Sequence, residues 1–242
     1  MQKRISLSPE STRCSTCMLN SLCLPLGISS NDIVKFDEVV SERIRIPKGE
    51  ALFHQGDRAT AIYGIRSGSI KTQLEDSVGQ VQVTGFLLPG EVVGIDGFLN
   101  TTQLSNAIAL EDTEVCVARI EDMDRVAAQV PAVQHQLRRL SSEEIKRSQQ
   151  LVVALGVLRS EQRLAAFLLD MSQRLSALGY SPNEFVLRMS REEIGNYLGL
   201  TLETVSRLFS RFARENLIRI HQREVQLLDL PTLRQVSGIE CE

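Results

Sequence analysis

The chain has 242 residues, 43% of them apolar and 24% charged, and a formal net charge of −3. That is an ordinary globular composition, long enough for one large domain or two small ones, and it excludes a uniformly polybasic nucleic-acid binder. Trp is absent and only 5% is aromatic, which leaves little material for aromatic-cage recognition, and five cysteines are too few and too uneven for a secreted disulfide scaffold.

The first residues, MQKRISLSPESTRC, lack the apolar run of a secretion signal, and apolar stretches such as Leu151 to Leu155 fall far short of a membrane span. The expectation is a cytoplasmic protein with reduced thiols. Residues 1–30 are rich in Ser, Thr and Cys without a period and read as an irregular arm. Residues 31–40 can form a short helix with Ile33, Val34, Phe36, Val39 and Val40 on its apolar side. From Ile44 to about Ala118, short β-prone runs (ALF, IYGI, SIKTQL, VQVTGFLL, TEVCVARI) are split by glycines at 49, 56, 64, 68, 79, 90, 94 and 97. Regular turn signals between short strands predict an antiparallel barrel or roll.

Around Ile120 the turn signals stop. Pro131 suits a first helical turn, and no Gly or Pro follows until Gly156, which ends the pattern. Ser141, Ile145, Ser148, Val152 and Leu155 recur at alternating steps of four and three, beside a line of Leu137, Leu140, Glu144 and Leu151. One stripe can pack on the chain's own roll and the other on a second copy, as in a short two-stranded coiled coil; a helix buried wholly in its own domain fits equally. Glu161 to Leu178 reads as another amphipathic helix, stopped at Gly179.

The C-terminal block has sharper local syntax. Ser190-Arg191-Glu192-Glu193 is a capping box that launches a helix with Ile194 and Leu198 inward. Gly199 breaks it, and Thr201 caps a second helix carrying Val205, Leu208, Phe209 and Phe212. Two short helices around a glycine turn predict a helix-turn-helix, and LIRIHQREVQLLD, alternating around a polar turn at His221 to Arg223, predicts a two-stranded wing.

In such a head the outward residues at the start of the second helix meet base edges. These are Leu202, Glu203, Ser206 and Arg207. Arg207 can donate twice to guanine, Glu203 can accept from cytosine, and Ser206 can do either; a plain i,i+4 ion pair between Glu203 and Arg207 is the alternative. Arg211, Arg214, Arg219 and Arg223 suit phosphate contacts. Charge supports this division: residues 31–135 carry 9 basic against 16 acidic side chains, whereas residues 186–223 carry 7 against 4.

Cys14, Cys17 and Cys23 form C-x2-C-x5-C in the arm, with Cys116 in a predicted strand and Cys241 next to last. Three clustered thiols plus a distant one have the ligand count for a structural zinc or an iron–sulfur cluster. Unligated thiols remain open, Cys116 being equally a small buried strand residue, and Cys241 reads as spare. His54, His135 and His221 have no ligand spacing.

The C-x2-C-x5-C arm, the roll segments HQGD and IRSGSIKT, the helix RLSSEEIKRSQQ and the stretch MSREEIGNYLGLTLETVSRLFSRF together resemble the FNR branch of the CRP/FNR transcription regulators. The resemblance covers nearly the whole chain. It implies an α+β fold: a cluster-binding arm (1–30), an antiparallel β-roll of the cyclic-nucleotide-binding type (31–120), a long dimerisation helix (121–158) and a winged helix-turn-helix (159–242). It further implies a non-enzymatic regulator of anaerobic transcription, activating or repressing. Cys14, Cys17, Cys23 and Cys116 would hold an oxygen-labile 4Fe-4S cluster. Ser141, Ile145, Ser148, Val152 and Leu155 would line a homodimer interface. Thr201, Glu203, Ser206, Arg207, Arg211 and Arg214 would meet double-stranded DNA, with Glu203, Ser206 and Arg207 matching readers of TTGAT half-sites in an inverted repeat. RNA polymerase would be the further partner.

Two positions depart from the family pattern. The cyclic-nucleotide branch has an Arg-Ser/Thr-Ala phosphate clamp where this chain reads Ser105-Asn106-Ala107, so no cyclic nucleotide is expected, since a buried phosphate needs a charged donor. Oxygen-responsive relatives often place an Asp near Ser148; a serine removes that like-charge repulsion and predicts readier dimerisation without the cluster. A regulator of the same family that senses redox through thiols or zinc is the alternative.

Overall fold

Strand β2 (Val40–Ile46), beyond a bulge between Val40 and Glu42, alternates between two faces, as does strand β9 (Thr113–Arg119). Ile44, Ile46, Val115 and Val117 turn inward and are buried, so Arg43, Arg45, Glu114 and Cys116 share the opposite face. The computed structural model describes residues 3–6, 13–20, 22, 23, 28, 29, 32, 33, 37, 39–98 and 100–238, with only the backbone of residues 3–6 and 41. Cys241 and much of the expected 31–40 helix lie outside these residues; within that stretch Val40 belongs to β2.

Two compact units succeed one another along the chain, residues 1–147 and 148–242. In the first, β1 (Lys3–Ser6), β4 (Ala61–Ser67) and β7 (Val92–Val93) join β2 and β9 in a sheet ordered β1-β2-β9-β4-β7. A second sheet, β3-β8-β5-β6, comprises β3 (Ala51–Phe53), β5 (Ile70–Glu75), β6 (Val81–Leu87) and β8 (Asn106–Ala109). Every pairing is antiparallel, and the facing apolar side chains, among them Ile65, Ile70, Leu87, Ala107 and Val115, form one core. This is the expected roll. The β4–β5 corner requires glycine: Gly68 has φ +84°, and a Cβ there would stand 2.7 Å from the Cα of Thr113.

Helix α1 (Ile120–Gln129) and helix α2 (Pro131–Val157) follow, α2 starting at Pro131 as its sequence suggests. Pro131 disfavours helical backbone at the residue before it, and Val130 is extended (φ −125°, ψ 96°). Helix α2 runs through Gly156 to Val157 rather than stopping there, since a single exposed glycine costs a helix only about 1 kcal/mol. Met123, Val126, Val130, Val133 and Leu137 pack with Val39, Val40, Ile62 and Ala118 in a second core, with Cys14, Cys23 and Cys116 at its margin.

The second unit contains α3 (Ser160–Ala177), with Leu164, Leu168 and Met171 almost wholly buried. Strand β10 (Glu184–Val186) pairs with β12 (Glu224–Leu227), which pairs in turn with β11 (Ile218–His221). Helices α4 (Arg191–Leu198) and α5 (Leu202–Arg214) precede that wing, and α6 (Leu230–Ser237) packs on α3. No helix among the described residues is long and apolar enough to cross a membrane.

Candidate cysteine pocket and nucleic-acid interface

Cys14 opens a single 3-10 turn, Cys14–Thr16, closed by the Cys17 N–H donating to the Cys14 carbonyl at 3.2 Å. Asp37 holds this turn: its carboxylate accepts the Ser15 N–H at 3.0 Å and the Ser15 hydroxyl at 2.6 Å. A second turn, in which the Cys23 N–H reaches the Leu19 carbonyl at 2.9 Å, brings the third cysteine round. Gln136 of α2 then donates to the Cys23 carbonyl at 3.3 Å.

Opposite the arm, Cys116 projects from β9 with Gly64 as its partner on β4. A residue without a side chain at that position leaves room for the arm's thiols. Cys14, Cys17, Cys23 and Cys116 therefore line one pocket, partly open to solvent, with Gly64 and Arg66 in its wall. All four are free thiols. Burial, then the neighbouring Cys116 and Cys23, pushes the Cys14 thiol well above the usual range. Burial also raises Cys116, opposed by the charge of Arg43 and a hydrogen bond from it. Thiols raised in this way bind a metal only with loss of their protons, and the metal's charge replaces what burial withholds. Among the described residues no group of three or more His, Cys, Asp or Glu side chains is placed to hold one metal ion.

In the second unit Ser190 accepts the Glu193 N–H at 3.1 Å while Glu193 accepts the Ser190 N–H at 2.7 Å, the complete capping box. Gly199, at φ +63°, ends α4, and Thr201 accepts the Thr204 N–H at 3.2 Å to start α5. Val205, Leu208, Phe209 and Phe212 are buried, which leaves Leu202, Glu203, Ser206 and Arg207 exposed on the opposite side. Glu203 is held below the usual carboxylate range by its own backbone N–H, then by the Thr201 hydroxyl, with a contribution from Arg207. Arg207 itself reaches the Thr204 hydroxyl at 3.5 Å.

The other arginines differ. Arg214 is exposed on the last turn of α5. Arg211 is held by Glu161 and, at 2.8 Å, by Glu215, so its charge is offset before any phosphate approaches. Arg219 donates to Gln226 and Arg223 to the Arg188 carbonyl. Sequence reasoning missed Arg191, whose guanidinium lies 3.3 Å from the centroid of the Phe209 ring and whose pKa burial lowers to about 10. An arginine at the first position of a helix whose partner carries a buried Phe was the signal available.

Residues 162–236 match the model of the Crp-like helix-turn-helix domain, and residues 43–130 match that of the cyclic nucleotide-binding domain. The chain is 61% identical over 240 residues to the transcriptional regulatory protein btr of Bordetella pertussis, covering 99% of each. It is 44% identical over 230 residues to the transcriptional activator protein Anr of Pseudomonas protegens, covering 95% of this chain and 94% of that one. The chain belongs to the CRP/FNR family, in its FNR-type branch. Among solved structures, FixK2 from Bradyrhizobium japonicum superposes with a TM-score of 0.75 at 27% identity, covering 82% of this chain and 98% of that one. The protein is thus a transcription regulator with a DNA-binding helix-turn-helix, and not an enzyme.

Two features of this CRP/FNR regulator bear on effector and assembly. Glu91 accepts the Leu88 N–H at 2.8 Å and pairs with Arg147 of α2 at 2.8 Å. Along α2, Ile145 is 59% and Val152 69% exposed, Ser141 and Ser148 are exposed, and Leu155 is half-buried.

Proposed function

We propose that this FNR-type regulator senses oxygen through a 4Fe-4S cluster held by Cys14, Cys17, Cys23 and Cys116, and as a homodimer binds a TTGAT-type inverted repeat to control anaerobic transcription. The observation that carries the reading is the shared pocket: three thiols of the arm and one of the roll wall converge, although β9 is remote from the arm in sequence. The donor set fits. Four sulfurs around one zinc stand about 3.8 Å apart for Zn–S bonds near 2.3 Å, whereas a multi-iron cluster spreads its ligands wider. Four cysteines around one pocket supply the all-thiolate ligand set that a 4Fe-4S cluster takes.

When bound, the cluster supplies an oxygen-labile link between arm and roll. The chain's own residues carry the rest. Asp37 fixes the first turn through Ser15, and Gln136 ties the Cys23 carbonyl to α2, so ordering of the arm bears directly on the helix whose exposed Ile145 and Val152 meet the second copy. Two copies of α5 would then face successive major grooves about 34 Å apart. Glu203, Ser206 and Arg207 would read bases while Arg214 and Thr201 meet the backbone, and RNA polymerase would be the partner of the DNA-bound dimer. Arg211 joins them only if DNA displaces Glu161 or Glu215. No cyclic nucleotide serves as effector: Ser105-Asn106-Ala107 offers no cation to a phosphate, and Arg147 occupies Glu91. The protein would act in the cytoplasm, where thiols stay reduced.

Anaerobic reconstitution tests this. The expected result is about four iron and four sulfide per chain, brown absorption that bleaches in air, and a salt-dependent gel shift on the inverted repeat that is lost with the colour. Stoichiometric zinc without acid-labile sulfide would favour the thiol or zinc regulator instead.

A further inference from the structure

We propose that Arg43 is a positioning residue for Cys116, its guanidinium donating to the ligand sulfur and making the cluster harder to oxidise in air. The inference rests on the cluster reading above and adds a residue that the cysteine spacing does not reveal. Arg43 and Cys116 are directly opposed in the β2–β9 register, and directly opposed residues of an antiparallel pair put their side chains on the same face.

Arg43 is only 7% exposed. Burying a guanidinium is costly unless its donors are used. One set is used by Glu114, whose Oε1 lies 3.4 Å from Nη1 of Arg43. Arg45 at 3.2 Å and Arg66 at 3.3 Å engage the same carboxylate, so three guanidinium groups share one negative charge and the face around Cys116 is left positive. Arg43 also hydrogen-bonds the Cys116 sulfur, and its charge is the largest influence opposing burial there.

The guanidinium stays charged at any pH of interest, so the effect is a fixed field and not a titration. Loss of an electron from a bound cluster to dioxygen would leave the pocket more positive. A cation and donor fixed on the ligand sulfur oppose that loss, as hydrogen bonds to cluster sulfurs and outer-shell partners do generally.

The test compares the full-length wild type with Arg43→Met, Arg43→Lys and Glu114→Gln, each reconstituted anaerobically. Iron and sulfide content, melting temperature and the rate at which visible absorption decays in air are read for each. Arg43→Met is expected to load iron and sulfide as the wild type does and to bleach several-fold faster. Arg43→Lys, which keeps the charge but cannot span Glu114 and Cys116 together, should fall between. Glu114→Gln removes the ion pair and leaves the donor on Cys116, so it should bleach no faster than wild type. Equal decay rates for wild type and both Arg43 variants would overturn the inference, as would Glu114→Gln bleaching as fast as Arg43→Met. If Arg43→Met does not fold, the Arg43→Lys rate decides alone. A wild type that takes up no iron and sulfide would sink the cluster reading itself, a result separable from these.

Discussion

Replacing Arg163 by Met should unlatch the head of the molecule from the end of its long helix. The Arg163 guanidinium donates to three carbonyls: Leu155 in the last turn of α2 at 2.7 Å, Leu158 beyond it at 2.9 Å, and Leu198, the last residue of α4, at 2.9 Å. These are carbonyls a helix end leaves without partners. Met keeps the aliphatic stem and removes every donor. Hydrogen bonds to a charged group contribute roughly 1.5–3 kcal/mol each, and at a half-buried site water recovers part of that, so the total loss is about 3 kcal/mol. For a unit of this size each kcal/mol moves the midpoint by roughly 4–8 °C, which predicts a fall of roughly 12–24 °C in the transition of residues 148–242. Calorimetry on the full chain, with hydrogen exchange to assign the transition, reads it. A shift below about 3 °C would show that the three bonds are surface decoration and refute the latch. Gly199→Ala strikes the same place, because φ is +63° and a Cβ would stand 2.9 Å from Leu155 Cδ2 and 3.2 Å from Arg163 Nη1. Its cost should therefore not add to that of Arg163→Met.

Arg207→Ala should lower affinity for the inverted repeat far more than for random DNA, by about 1–3 kcal/mol per half-site, while Arg214→Ala should weaken both alike; equal losses for Arg207 in paired gel shifts would argue against base readout. Ser148→Asp should drive the cluster-free protein toward monomer, with the wild-type apo-protein sedimenting as a dimer at micromolar concentration; a strictly monomeric wild type would remove the case for Ser148. Ser190→Ala should cost about 1 kcal/mol by opening the capping box, seen as faster amide exchange in α4 without change in the roll. Arg147→Ala removes a pair exposed on its arginine side and should cost about 1 kcal/mol or less, and millimolar cyclic AMP should shift the melting temperature of neither that variant nor the wild type.

The helix-turn-helix was legible because its determinants are local. Ser190, Glu193, Gly199 and Thr201 each act on backbone within four residues, and the apolar positions of α5 follow a helical period that needs no partner to be seen. The roll was legible for its longer strands, but Val92–Val93 and Asn106–Ala109 were not singled out: one is two residues long, and the other opens on an asparagine whose side chain serves His54 and Gln55. The helix break at Val130 follows from Pro131 yet was read only as a helix start. Long-range contacts were opaque. Nothing in the spacing of Arg211 announces Glu161, and nothing in Arg163 announces Leu198, because each partner comes from another element. The same holds for the pocket: C-x2-C-x5-C groups three thiols, but only the β4–β9 register, with Gly64 beside Cys116, shows how a fourth from the roll joins them.

On the cluster reading, that register also bears on how the roll takes its signal. The family resemblance places a phosphate-clamping arginine of the cyclic-nucleotide branch where this chain reads Ser105-Asn106-Ala107. This chain has no arginine there, Glu91 is turned to Arg147 of α2, and Arg66 and Cys116 line the pocket shared with the cysteine arm. Both arrangements reach the same helix. Arg147 of α2 holds Glu91, and Gln136 of α2 holds the Cys23 carbonyl, within the same unit of the chain. On the cluster reading, the roll takes its signal at the strand face that carries Cys116, and Gln136 links the arm there to α2.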